Sequence, residues 1–131
     1  MNLERIDHIC IAVKDVKKAE ETYSKAFDLQ PILRYVEEKE KINVVRFMIG
    51  EVAFEVLEAT DPDSDVGRFI ERKGEGVFLI SFKVPDVADS IAELNGKGIE
   101  LIDKTPRRWR DSNYAFCRPK DFNNVLIELI D

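Results

Sequence analysis

Apolar and polar positions alternate cleanly in "IDHICIAV" (Ile6–Val13): Ile9, Ile11 and Val13 share one face, and His8, Cys10 and Ala12 the other. Asp15 then stands where a cap would open a helix to about Asp28, with Val16, Ala19, Tyr23 and Phe27 at helical spacing. The runs "QPILRYVEE", "INVVRFMIG" and "EVAFEVLEA" read as three strands, with Gly50–Glu51 as the turn between the last two. A punctuated stretch, "TDPDSDVGRFIERKGEG", predicts a short helix from about Asp65 to Arg72. "GVFLISFKV" follows as a strand with Phe78, Ile80, Phe82 and Val84 on one side. Asp86 opens a helix carrying Val87, Ile91 and Leu94, stopped near Gly96–Lys97–Gly98. "IELIDK", "NYAFC" and "NVLIELI" complete the pattern as three more strands.

The order β-α-β-β-β therefore occurs twice. Aligning "DHICIAVKDV" with "GVFLISFKVPDV" on their shared Val-x-Asp-Val endings sets His8 against Leu79. "AFEVLE" matches "LIELID" at nearly the same separation, setting Glu55 against Glu128. The expected fold is α+β: two tandem modules, about residues 4–60 and 76–131, joined by a linker with a short helix at about 61–75, all in one domain spanning 1–131. Helices should cover the apolar faces. The opposite faces, carrying His8, Glu55, Leu79 and Glu128, are expected to curve around a cavity.

Composition narrows the partners. With 131 residues, 44% of them hydrophobic and 35% charged, the chain suits a globular domain with its own core. A formal net charge of -6 argues against broad contact with nucleic acid or an anionic membrane. No apolar run reaches membrane-spanning length, and the first residues lead into a strand rather than a signal peptide. Two cysteines, Cys10 and Cys117, without a Cys-x-x-Cys motif, suggest reduced thiols and a cytoplasmic location.

The candidate chemistry lies in the repeat. A carboxylate on the inward face of a strand is costly unless paired, metal-bound or solvated. Glu55 and Glu128 occupy equivalent positions, and with His8 they make a reasonable set for a divalent cation. From pattern alone, solvated residues at a cavity rim are an equal alternative.

The paired modules opening with "DHICIAV", the segment "PDSDVGRFIERKGEG" and the closing "VLIEL" resemble the vicinal-oxygen-chelate superfamily (glyoxalase/bleomycin resistance/dioxygenase), and within it the methylmalonyl-CoA epimerase family. That resemblance implies a divalent metal (cobalt, manganese, nickel or zinc) held by four side chains, which fall on His8, Glu55, Leu79 and Glu128. Leu79 has no donor. It also implies two bases flanking the carbon next to a thioester carbonyl. One corresponds to Glu128, and the other to the position of Arg46, which alternation groups with Val44 and Met48. A guanidinium stays protonated and cannot be that base. Arg46 is instead expected to neutralise Glu55 or Glu128, weakening or removing the metal site.

For an acyl-CoA ligand, Arg107, Arg108 and Arg110 of "RRWRDSN" are candidates to hold phosphates, with Trp109 stacking on a ring; a solvated basic loop is the simpler alternative. Three activities fit the resemblance: an epimerase using His8, Glu55 and Glu128; a binding protein in which Arg46 meets a carboxylate or acyl-CoA ligand without turnover; or a glyoxalase-type isomerase. A ring-cleaving dioxygenase needs two histidines for iron, and the chain has one. The superfamily also suggests a homodimer.

Overall fold

A computed structural model describes residues Met1–Asp131. The chain forms β1 (Arg5–Ala12), α1 (Val16–Phe27), β2 (Leu33–Glu37), β3 (Ile42–Ile49), β4 (Val52–Ala59), α2 (Asp65–Lys73), β5 (Gly76–Lys83), α3 (Val87–Gly96), β6 (Arg107–Trp109), β7 (Ser112–Phe116) and β8 (Leu126–Ile130), with a 3-10 turn at Pro119–Asp121. It divides into two compact units. One is the continuous segment Ile9–Phe78; the other combines Met1–His8 with Leu79–Asp131.

In the continuous unit the strand order is β2-β3-β4-β1, with β2, β3 and β4 mutually antiparallel. Asp15 caps α1 by accepting from the Lys18 amide at 3.0 Å, and the Glu58 carboxylate takes the Val16 amide at 3.2 Å. Two otherwise orphaned helix N–H groups are thereby satisfied. Val16, Ala19 and Tyr23 pack on Val45, Phe47 and Val56, and the Tyr23 ring meets Phe54 edge-on at 5.1 Å. Phe27 departs from the expected apolar stripe. It sits in the last turn, is 65% exposed, and only stacks on Tyr23. Since α1 covers the Val45–Phe47 side of β3, alternation leaves Val44 and Arg46 on the opposite side.

In the other unit the order is β1-β5-β8-β7-β6, with β5 and β8 parallel and β8, β7 and β6 antiparallel. Asp86 caps α3 through the Asp89 amide at 2.8 Å, and the helix buries Val87 and Ile91 against Val84, Ala115, Ile127 and Leu129. The Asp131 carboxylate receives the Val87 amide at 3.0 Å and the Asn113 amide at 3.0 Å, tying the start of α3 to β7. Burial alone would raise its pKa, but these donors together hold it below the usual aspartate value. No helix is long and apolar enough to cross a membrane.

Two expectations are corrected here. "IELIDK" forms no strand; only Leu101 makes an isolated bridge, to Cys117. Asp103 ends the pairing by taking the Phe116 amide on its own carboxylate at 2.8 Å. The strand on that edge is β6, in the stretch expected to be a basic loop, directly after Pro106.

Both cysteines are free and buried. Burial, with a smaller push from Asp121, raises the Cys117 thiol to about 11. Its native proton is therefore retained from roughly pH 8.5, where an unfolded thiol ionises, up to the folded value. Any stability it contributes is complete below that window and lost as pH rises through it. We expect Cys117 to resist iodoacetamide at pH 8 in the native protein and to react fully in denaturant, read by peptide mass spectrometry. Fast native labelling would contradict this burial.

Candidate functional site

The parallel pairing of β5 with β8 sets Ser81 beside Glu128, both on the side away from α3. Glu128 and Ser81 are buried, and Ser81 Oγ donates to Glu128 Oε1 at 2.7 Å. His8, at the end of the N-terminal segment of the same unit, brings Nε2 to within 3.1 Å of that oxygen. Its Nδ1 lies 2.8 Å from Asp7 Oδ2. Which of the two ring nitrogens donates depends on the tautomer. Leu79 is also on β5, buried, and supplies no donor.

In the continuous unit the antiparallel register sets Arg46 directly opposite Glu55. Arg46 Nη1 donates to Glu55 Oε2 at 3.0 Å, and Cys10 Sγ donates to Oε1 at 3.3 Å. Glu55 is 5% exposed, so its charge needs this compensation. Arg46 keeps 22% of its side-chain surface in solvent. Its attraction to Glu55 is as expected. Cys10 is a contact of Glu55 that the sequence reading does not single out; its two-residue spacing from His8 on one face of β1 is the available signal.

The residues present do not fit the four-ligand divalent centre that the superfamily implies. Glu55 is bound to a guanidinium, and the fourth position is Leu79, which has no donor. A dication about 5 Å from Arg46 would meet repulsion of roughly 6–7 kcal/mol at an effective dielectric near 20.

The basic stretch is divided by its strand register. Arg107 pairs with Tyr114, and Phe116 pairs with Glu128, so Arg107 and Trp109 lie on the Glu128 side of this unit. Arg107 is held by Asp103 at 2.7 Å and lies over the Phe116 ring at 5.1 Å. Arg108 pairs with Asn113 on the opposite side and donates to its side chain at 3.2 Å. Of the residues expected to contact a ligand together, Arg107 and Trp109 therefore share one face of the strand and Arg108 is on the other. Arg110 stacks over Trp109 at 4.6 Å.

Residues 7–117 match the model of the Glyoxalase/Bleomycin resistance protein/Dioxygenase superfamily. The chain is 34% identical over 130 residues to the uncharacterized protein YqjC of Bacillus subtilis, covering 98% of this chain and 93% of that one. It is 27% identical over 130 residues to the mitochondrial methylmalonyl-CoA epimerase of Homo sapiens, covering 98% and 74%. A solved methylmalonyl-CoA epimerase, in complex with methylmalonyl-CoA and NH4+, superposes with a TM-score of 0.92 at 33% identity, covering 98% of this chain and 94% of that one. The α+β architecture of repeated β-α-β-β-β modules is the vicinal-oxygen-chelate fold, and the chain belongs to the Glyoxalase/Bleomycin resistance protein/Dioxygenase superfamily, where it is methylmalonyl-CoA epimerase-like.

Proposed function

We propose that the chain recognises a small acyl-CoA thioester and exchanges the proton next to the thioester carbonyl through one base, Glu128, without the two-base inversion of an epimerase. The observation that carries this reading is the identity and pairing of residue 46. The resemblance expects the second base there, and the chain has an arginine bound to Glu55. A guanidinium neither accepts nor returns that proton.

Glu128 retains the features of a positioned base. It is buried on a strand, and Ser81 and His8 fix one carboxylate oxygen from two directions. Arg107 and Trp109, on the same side of their unit, are the side chains assigned to the rest of the ligand; Arg108 is not. The likeness to a solved epimerase holding methylmalonyl-CoA supports the substrate class. No step is assigned to a metal.

The test is to incubate one stereoisomer of methylmalonyl-CoA with the protein in deuterated water containing a chelator. Deuterium should enter the alpha position well ahead of inversion, and Glu128→Gln should abolish exchange. Inversion keeping pace with exchange would mean that a second base exists. Tight binding without exchange would favour the second reading, a binding protein, to which the Arg46–Glu55 pair already lends support.

A further inference from the structure

In the unit that holds Glu128, the antiparallel register makes Phe116 its direct neighbour on β7. Tyr114, two residues earlier, faces the same way and meets the Phe116 ring edge-on at 5.7 Å. Ala115, Ile127 and Leu129 pack with Val87 and Ile91 of α3, which leaves Tyr114, Phe116 and Glu128 on the other side. Both rings are half-buried rather than sealed. Arg107 lies over one face of Phe116 at 5.1 Å and is itself held by Asp103 at 2.7 Å, so the ring is braced from behind. Side chains directly opposite in such a pair have Cβ atoms about 4.5–5.5 Å apart. A carbon placed to give its proton to Glu128 therefore has an aromatic surface beside it.

The chemistry points the same way. Removing a proton next to a thioester carbonyl leaves an enolate, and its charge must be stabilised. The donor set does not fit a divalent ion, and in this unit the implied ligand position holds Leu79, buried and apolar. A substrate with a ring on the alpha carbon supplies that stabilisation itself, because the ring shares the charge. The same ring is flat and apolar, and gains from offset or edge-to-face contact with Phe116 and Tyr114.

We propose that the acyl group placed against Glu128 carries an aryl ring on its alpha carbon, as in an arylacetyl thioester, seated on Phe116 and Tyr114. This rests on the one-base reading above and deepens it by naming the acyl group. In the exchange step the alpha C–H bond breaks and its proton passes to a Glu128 carboxylate oxygen. The electron pair spreads into the thioester carbonyl and the ring. Return of a proton from Glu128 to the same carbon restores the thioester, with no oxidant or second substrate. Phe116 and Tyr114 hold the ring and take no part in proton transfer. The adenine ring of CoA offers a similar flat surface, so the probes must separate the two sources.

Four probes serve, in deuterated buffer with a chelator: phenylacetyl and propionyl thioesters, each of CoA and of pantetheine, which lacks the adenine nucleotide. Deuterium entry at the alpha carbon is read by mass spectrometry. Each rate is divided by the exchange that acetate alone produces, which removes the intrinsic difference in acidity. With either carrier, the phenylacetyl thioester should show a KM about tenfold or more below that of the propionyl thioester, as expected for burying a ring against two others. Phe116→Leu should remove most of that difference, and Phe116→Tyr should keep it. Tyr114→Leu carries the same comparison if Phe116→Leu fails to fold.

Equal KM values for the two acyl groups in the native protein overturn the proposal and leave the one-base reading standing. A preference that survives both leucine variants overturns it too, since the ring then sits elsewhere. If Phe116→Leu weakens both CoA thioesters alike and neither pantetheine thioester, the surface belongs to adenine and the proposal falls. Calorimetric binding of the phenylacetyl thioesters with the same dependence on Phe116, but no exchange, would uphold the aryl seat and sink the one-base reading. If none of the four probes binds, both ideas fail.

Discussion

Arg46→Met should cost about 2–4 kcal/mol of stability, and Glu55→Gln distinctly less. Removing one partner of a buried ion pair strands the other charge, typically at 3–5 kcal/mol, and the partial exposure of Arg46 places this case toward the lower end. The asymmetry follows from burial. Glu55 left alone at 5% exposure keeps only a thiol donor, whereas Arg46 left alone can turn toward water. The double variant Arg46→Met/Glu55→Gln should recover much of the loss, giving a strongly non-additive cycle in urea denaturation. Additive single-variant costs would show that the two side chains do not stabilise each other.

The other large effect is Gly67→Ala. A Cβ at Gly67 would lie 2.5 Å from the Pro62 carbonyl oxygen and 2.7 Å from that of Asp61. Both are backbone atoms, in a turn tightened by Ser64 Oγ, which donates to the Asp61 carbonyl at 2.7 Å and accepts from the Gly67 amide at 3.1 Å. Neither side can yield without breaking the cap of α2, so the expected loss is roughly 2–4 kcal/mol despite alanine's better helix propensity. Gly96→Ala is the internal control. Gly96 ends α3 with nothing within 4 Å of an added Cβ, and the same substitution there should be neutral or mildly stabilising. Equal thermal shifts for the two variants would refute the packing argument.

Much of this was legible in the sequence because strand alternation is local. The period of two put His8 with Cys10, and Arg46 away from Phe47, and helix packing on the Val45 and Phe47 side agrees. The caps at Asp15 and Asp86 were equally readable, since each needs only its own side chain and an amide three residues on. "IELIDK" misled because its apolar pattern says nothing of Asp103, whose carboxylate takes the amide that a strand partner would have used. Arg107 and Arg108 could not be told apart until β6 had a register, and register depends on pairing with β7. Nor could spacing show that Glu55 answers to Arg46 rather than to a metal: that depends on which strand lies opposite.

One unit is assembled from chain ends. Met1–His8 joins Leu79–Asp131: the Met1 amino group pairs with Glu93 at 2.9 Å, the Glu4 amide donates to the Lys83 carbonyl at 2.9 Å, and His8 reaches Glu128. Residues 1–8 leave the ribosome long before the strands they pair with. Until β8 emerges, that segment lacks its partners, whereas Ile9–Phe78 already has all its own sequence. Contacts so distant along the chain are the slow ones to form. The Asp7–His8–Glu128 cluster, which joins residues about 120 apart in the chain, is thus among the last parts of the protein to assemble.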